Sequence, residues 1–158
     1  MVNIITGEIN TGKTTKLLSL YSEKKLGDGF VTLKIYSNSR YIGQKLMRLS
    51  TGEETCFSFK DEYLPVGWDE ECRYDIYSFS KKGITFAENI IEDVIRRRLN
   101  PVFIDEIGPL ELQCKGFYNV FYRSLSECKD IYFTVRTSSL DDVIIAFGIK
   151  DYDIIKIM

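Results

Sequence analysis

Nine consecutive residues near the start of the chain, Gly7-Glu8-Ile9-Asn10-Thr11-Gly12-Lys13-Thr14-Thr15, are of types and spacing that bind phosphate. Gly7 to Thr14 fit G-x-x-x-x-G-K-[ST] without a gap. Such a loop turns backbone N–H groups inward onto phosphate oxygens, and the helix that follows adds the positive end of its dipole to the same anion. Lys13 would reach the β- and γ-phosphates. Thr14 would give its hydroxyl to Mg²⁺, a hard ion that keeps several waters and bridges those two phosphates. With glycine at about 7% of residues, the four specified positions would coincide by chance in well under about one chain in a hundred of this length.

A second constellation lies near residue 105. Val102-Phe103-Ile104 is a short apolar run that ends in Asp105-Glu106. An acid at the end of a buried strand is where phosphate-loop enzymes hold Mg²⁺ through water, and strand ends are where α/β sheets bind ligands. Alone, Asp105-Glu106 reads better as a solvated turn; beside the glycine loop, the functional reading prevails. Glu106, next to the magnesium acid, is placed to orient or deprotonate a water for attack on the γ-phosphorus, which favours hydrolysis over transfer to a substrate hydroxyl. A transferring phosphoryl group usually meets an added cation. Arg136, just past the apolar run Ile131 to Val135, is the choice for it, with Arg123 and Arg96 to Arg98 as other options. The Arg96-Arg97-Arg98 run is better explained as cations at a helix C-terminus.

Composition removes other mechanisms. The 158 residues include no histidine, so no Ser-His-Asp triad, Cys-His pair or imidazole metal site can be built. Lys and Arg number 21 against 23 Asp and Glu, a net charge of −2, and no bulk positive field exists to hold nucleic acid or anionic lipid. Cys56, Cys72, Cys114 and Cys128 form no C-x-x-C pair and are expected to be reduced, mostly buried thiols. No apolar stretch approaches 18 residues and no leader pattern opens the chain, so a cytoplasmic monomer without membrane contact is expected.

The elements that must position these residues follow from pattern. Val2 to Thr6 reads as a buried strand, Gly7 to Thr15 as a loop, and the residues from Lys13 as a helix ended by Gly27. Phe30 to Tyr36 alternates as a strand. Residues 37–82 hold short β-like pieces and read as a β-rich insertion, in which Tyr63, Trp68 and Tyr74 would stack a nucleobase or fill a satellite core. Thr85-Phe86-Ala87-Glu88 reads as a capping box opening a helix with Phe86, Ile90, Ile91, Val94, Ile95 and Leu99 on one face, Glu92–Arg96 and Asp93–Arg97 pairs on the other, and Asn100-Pro101 as its stop. A buried strand at 102–104, a helix over 116–128, a strand at 131–135, a helix over 140–147 and a last strand at 153–157 complete the chain. Strands alternating with helices predict one three-layer α/β domain over 1–158 with a mainly parallel sheet.

The residues Gly7 to Thr15 (GEINTGKTT) and Phe103 to Leu112 (FIDEIGPLEL), with Gly29-Phe30-Val31-Thr32 after the first helix, resemble the nucleoside-triphosphatase family of thermophiles that includes the human cancer-related nucleoside-triphosphatase. The resemblance covers nearly the whole chain and is loose between Leu33 and Lys82. It implies a P-loop NTPase of the RecA-like, additional-strand class that hydrolyses ATP, GTP and other nucleoside triphosphates slowly with Mg²⁺. In that case Gly7 to Thr15 bind phosphate, Asp105 serves magnesium and Glu106 is the base; Glu111 belongs to the same signature without an assigned role. Asn10-Thr11, Lys34 (where relatives tend to be acidic) and Arg136 (where the strand often ends in T-V-H) depart from the pattern. Two rivals use the same loop: a nucleotide or small-molecule kinase with the insertion as acceptor site, and a nucleotide-dependent switch ATPase acting with a partner.

Overall fold

The computed structural model describes all 158 residues, Met1–Met158. Strand β1 (Val2–Gly7) buries Ile4 and Ile5 completely and runs into the glycine loop. Helix α1 (Lys13–Lys24) starts beyond Gly12, whose φ of 93° only glycine adopts without strain. It ends on Lys25, which takes the left-handed conformation expected of Gly27 and donates its N–H to the Tyr21 carbonyl.

Strands β2 (Asp28–Ser37), β3 (Arg40–Arg48), β4 (Glu54–Lys60), β5 (Glu70–Tyr74) and β6 (Tyr77–Ser80) follow without an intervening α-helix. Next come α2 (Lys81–Arg97), β7 (Val102–Ile107), the single turn α3 (Pro109–Leu112), α4 (Tyr118–Glu127), β8 (Ile131–Arg136), α5 (Thr137–Ala146) and β9 (Tyr152–Ile157). All nine strands form one sheet in the order β5-β6-β4-β3-β2-β7-β8-β1-β9. β8 therefore stands between the strand before the glycine loop and the strand that carries Asp105.

The sheet is mixed, and this corrects the expectation of a mainly parallel one. Its β2-β7-β8-β1-β9 half pairs in parallel, whereas β2-β3-β4-β6-β5 pairs throughout antiparallel. Residues 37–82 are β-rich, as expected, and their hairpins after β2 extend the central sheet itself. Tight connections such as the turn at Asn38-Ser39, both with positive φ, leave no length for a crossover helix and force antiparallel pairing.

Three layers result. Leu17 of α1 packs with Ile5, Val31 and Phe103 on one face of the sheet, while Ile90, Ile91 and Val94 of α2, Val120 and Phe121 of α4 and Val143 of α5 bury the other. The capping box at Thr85 is not used. α2 begins at Lys81, and the Ser80 hydroxyl accepts the Gly83 N–H at 2.9 Å. Gly83 is buried against Phe57, so the first turn is fixed by a close approach that apolar periodicity does not register. Arg96 and Arg97 both pair with Asp93, and Glu92 reaches Arg123 of α4 in place of Arg96. The thiols are free but not mostly buried: Cys56 and Cys114 are exposed, Cys72 and Cys128 half-buried. No helix is long and apolar enough to cross a membrane.

Candidate functional site

The glycine loop closes on itself before it meets any ligand. Thr11 Oγ1 donates to the Glu8 carbonyl at 2.7 Å, and Lys13 Nζ donates to the carbonyls of Glu8 at 2.6 Å and Gly7 at 3.3 Å. Asn10 holds φ 58°, a left-handed angle that asparagine tolerates better than most residues. Its Oδ1 accepts a hydrogen bond from Lys34 Nζ of β2, so a lysine from a neighbouring strand pins the loop. Glu8 and Ile9 project into solvent, and Thr14 and Thr15 continue into α1.

Thr14 Oγ1 donates to Asp105 Oδ2 at 2.8 Å, which joins the two sequence motifs across 91 residues. Asp105 is fully buried. Oδ2 also accepts the Thr32 backbone N–H at 3.0 Å and the Thr32 hydroxyl at 3.2 Å; Oδ1 accepts the Thr134 hydroxyl at 2.6 Å. Burial raises the Asp105 carboxyl above the usual carboxylate range, and the hydrogen bonds from Thr134, Thr32 and Thr14 pull against that rise.

Glu106 turns the other way because the chain bulges. The β7–β8 register shifts between Ile104 and Ile107, and Glu106 takes φ 59°, a conformation that costs about 1–3 kcal/mol for a residue with a Cβ. The Thr134 hydroxyl, which donates to Asp105, accepts the Glu106 N–H at 2.7 Å and holds the bulge. The Glu106 side chain thereby opens into the cleft, where Oε2 accepts from Gln44 Nε2 of β3 at 2.8 Å. Surrounding protein, then the neighbouring Asp105 charge, raise its carboxyl, against the pull of Gln44 and Arg136.

Lys13, Glu106 and Arg136 line one cleft of about 580 Å³. Arg136 lies at the end of β8, opposite Gly7 in register, and is the one arginine on that cleft. Arg123 is occupied by Glu92 and Glu127, and Arg96 and Arg97 by Asp93, on the helical layer. Partial burial and then the Arg136 charge lower Lys13, while Glu106, Asp105 and Glu8 raise it. Tyr74 lines the cleft, whereas Trp68 packs on Phe59 and donates to Ser78 Oγ, which makes it satellite core.

Glu111 acquires a structural role. Its buried carboxylate accepts the Gly108 N–H and the Phe117 N–H, each at 2.8 Å, and so ties the turn after β7 to the start of α4. Burial pushes its pKa up to about 7. Sequence reasoning missed Thr134 and Gln44, and it singled out Thr32 and Lys34 without giving either a place in the site. All four lie on strands away from the glycine loop and the Asp105-Glu106 pair, and only the strand order brings them to Asp105, Glu106 or Asn10.

A glycine loop between strand and helix, hydrogen-bonded through its threonine to a buried strand-end aspartate, defines a P-loop α/β protein. Within that class the chain belongs to the NTPase family, whose model matches residues 3–157. It is 29% identical over 138 residues to the nucleoside-triphosphatase THEP1 of Archaeoglobus fulgidus, a match covering 85% of this chain and 76% of that one. With the same-named protein of Methanocaldococcus jannaschii it shares 29% over 140 residues, 84% and 76% of the two chains. Its fold matches the crystal structure of THEP1 from Aquifex aeolicus with a TM-score of 0.75 at 23% identity, over 100% of this chain and 90% of that one. The solution structure of a human cancer-related nucleoside triphosphatase matches with a TM-score of 0.67 at 22% identity, over 98% and 87%.

Proposed function

We propose that the chain hydrolyses nucleoside triphosphates, ATP and GTP among them, to nucleoside diphosphate and phosphate with Mg²⁺, as a RecA-like P-loop enzyme of the additional-strand class. The observation that carries this reading is the Thr14–Asp105 hydrogen bond at 2.8 Å, with Glu106 and Lys13 beside it. The residues fit the ion: a hydroxyl and a carboxylate are hard oxygen donors. No group of three or more Asp, Glu, His or Cys stands ready to enclose a metal, so phosphates and water must complete its shell, which is magnesium's habit. When held by the Thr14 hydroxyl and, through water, by Asp105, the ion would neutralise charge on the β- and γ-phosphate oxygens.

The chain's own residues do the rest. Backbone N–H groups from Gly7 to Thr15 bind phosphate, and Lys13 exchanges its loop carbonyls for β- and γ-oxygens. Glu106, steadied by Gln44, orients the attacking water and takes its proton. Arg136 supplies the cation that meets charge developing on the phosphoryl group. Catalysis rests on positioning and charge. Phosphate release measured over the common ribo- and deoxyribonucleoside triphosphates, with and without Mg²⁺, tests the reading: metal-dependent release with matching diphosphate is expected. Label from γ-labelled ATP found in an organic acceptor in place of inorganic phosphate would overturn hydrolysis as the reaction.

A further inference from the structure

Three cations line the cleft: Lys13, Lys34 and Arg136. The strand order sets two of them on either side of the carboxylates, since β7, which carries Asp105 and Glu106, lies between β2 with Lys34 and β8 with Arg136. Side chains two apart on a strand share a face. On β2 these are Thr32, which donates to Asp105, and Lys34, which pairs in register with Gln44, the residue that holds Glu106. Lys34 is therefore rooted at the end of the cleft where the phosphoryl group reacts, and its Nζ reaches back to donate to Asn10 Oδ1 of the glycine loop.

The charge of that ammonium is uncompensated. Lys45, on the neighbouring strand β3, is paired with Glu54 at 2.9 Å, whereas Lys34 meets no carboxylate. Its partners are a neutral amide oxygen and the Tyr41 ring, with the centroid 6.0 Å away. An amide orients an ammonium without neutralising it, and a cation already held in place needs no rearrangement when negative charge develops beside it. In-line displacement says where that charge falls. With the attacking water at Glu106, the oxygen leaving the γ-phosphorus lies on the opposite side, toward the loop that binds the phosphates. Asn10 belongs to that loop.

We propose that Lys34 is a further catalytic residue: its ammonium, aimed by Asn10, contacts the oxygen that bridges the β- and γ-phosphorus and stabilises the charge gained by the leaving diphosphate. The inference rests on triphosphate hydrolysis at the glycine loop. Water attacks the γ-phosphorus, Glu106 takes its proton, the bond to the bridging oxygen breaks, and the electron pair stays on the diphosphate, where Lys34 meets it. Arg136, on the other side of β7, is left to the oxygens of the phosphoryl group itself.

The test is turnover set against binding of a non-hydrolysable imido analogue of ATP. Lys34 is exposed, so Lys34→Ala leaves no cavity and an unchanged urea midpoint is expected. Its kcat for phosphate release should fall about a hundredfold, while affinity for the analogue changes by less than about threefold. Lys34→Arg keeps the charge and should stay within about tenfold of the wild-type kcat. Ammonium chloride should raise the turnover of Lys34→Ala, because a free ammonium ion can take the vacated place at Asn10 Oδ1; tetramethylammonium chloride at the same ionic strength has no N–H to donate and should not. Unchanged kcat in Lys34→Ala, or a loss of analogue affinity as large as the loss of turnover, would overturn the assignment and leave the triphosphate reading standing. Phosphate release as fast in Lys13→Ala as in the wild type would bring down both.

Discussion

At the scale of single residues, the site separates two carboxylates that are neighbours in the chain. Asp105 is sealed in and saturated with hydrogen bonds, whereas Glu106 faces the cleft. The substitution Glu106→Gln should therefore leave nucleotide affinity intact and slow phosphate release by at least about a hundredfold, the usual worth of a positioned proton acceptor. Lys13→Ala should abolish release, since no other lysine touches the loop carbonyls. Steady-state release together with analogue binding separates the two, and full activity in Glu106→Gln would remove it as base. Glu111 predicts a pH effect on stability. Its carboxyl titrates at about 7 in the fold against an ordinary 4.5, so between those values the folded chain keeps a proton that the unfolded chain has lost. Stability falls as pH rises through that window, by about 3 kcal/mol in all, because the native state then carries a buried charge. Glu111→Gln cannot ionise, though its amide forfeits one of the two N–H bonds. Urea midpoints at pH 5 and pH 8 should differ less in the variant than in the wild type, and equal differences would count against Glu111 as the source.

At the scale of elements, the glycine loop and the strand-end acid were legible because each is a local pattern: β1, the loop and α1 are consecutive, and three apolar residues before Asp105 announce β7. What was not legible is the pairing of strands. Residues 37–82 show alternation without saying what lies next to what, so they read as an insertion although β3 and β4 continue the sheet and deliver Gln44 and Ser58 to the cleft. The bulge at Glu106 was equally hidden, since no glycine marks its positive φ and its support comes from Thr134 on β8. That support is testable. Thr134→Val keeps the shape and the β-branch but removes the hydroxyl from both Asp105 Oδ1 and the Glu106 N–H. We expect a loss of about 2–3 kcal/mol of stability for the two orphaned groups, with turnover falling more than nucleotide affinity because Glu106 loses its aim. Unchanged turnover at reduced stability would confine Thr134 to a structural part.

At the scale of the whole molecule, the two differently paired halves of the sheet meet only where β2 lies against β7, over the pairs Asp28–Val102, Gly29–Phe103 and Phe30–Ile104. Backbone contact is intimate there: a Cβ on Gly29 would come within 1.9 Å of the Phe103 carbonyl oxygen. The side-chain core does not respect the seam. Phe30, Leu46 and Phe57 from the antiparallel half pack in one cluster with Ile104 and Phe133 from the parallel half and with Phe117 and Phe121 of the α4 segment, and Phe57 stacks on Phe117 at 4.8 Å. Arg48 of β3 bonds both Asp28, buried at the seam, and Asp93 of α2, which ties hairpin, seam and helical layer together. Neither half can lose its structure without exposing the other's core, so we expect thermal and denaturant unfolding to be one cooperative transition with coincident midpoints by far-ultraviolet circular dichroism and Trp68 fluorescence. The triphosphate site belongs to that same unit. A non-hydrolysable triphosphate analogue at about a hundred times its Kd should then stabilise the entire chain by about 2.7 kcal/mol and move both probes equally, and Lys13→Ala should lose most of the shift. A ligand shift seen by circular dichroism but not at Trp68, which sits in the antiparallel half, would show that the halves unfold separately and that the cleft between them is not held rigid by a common core.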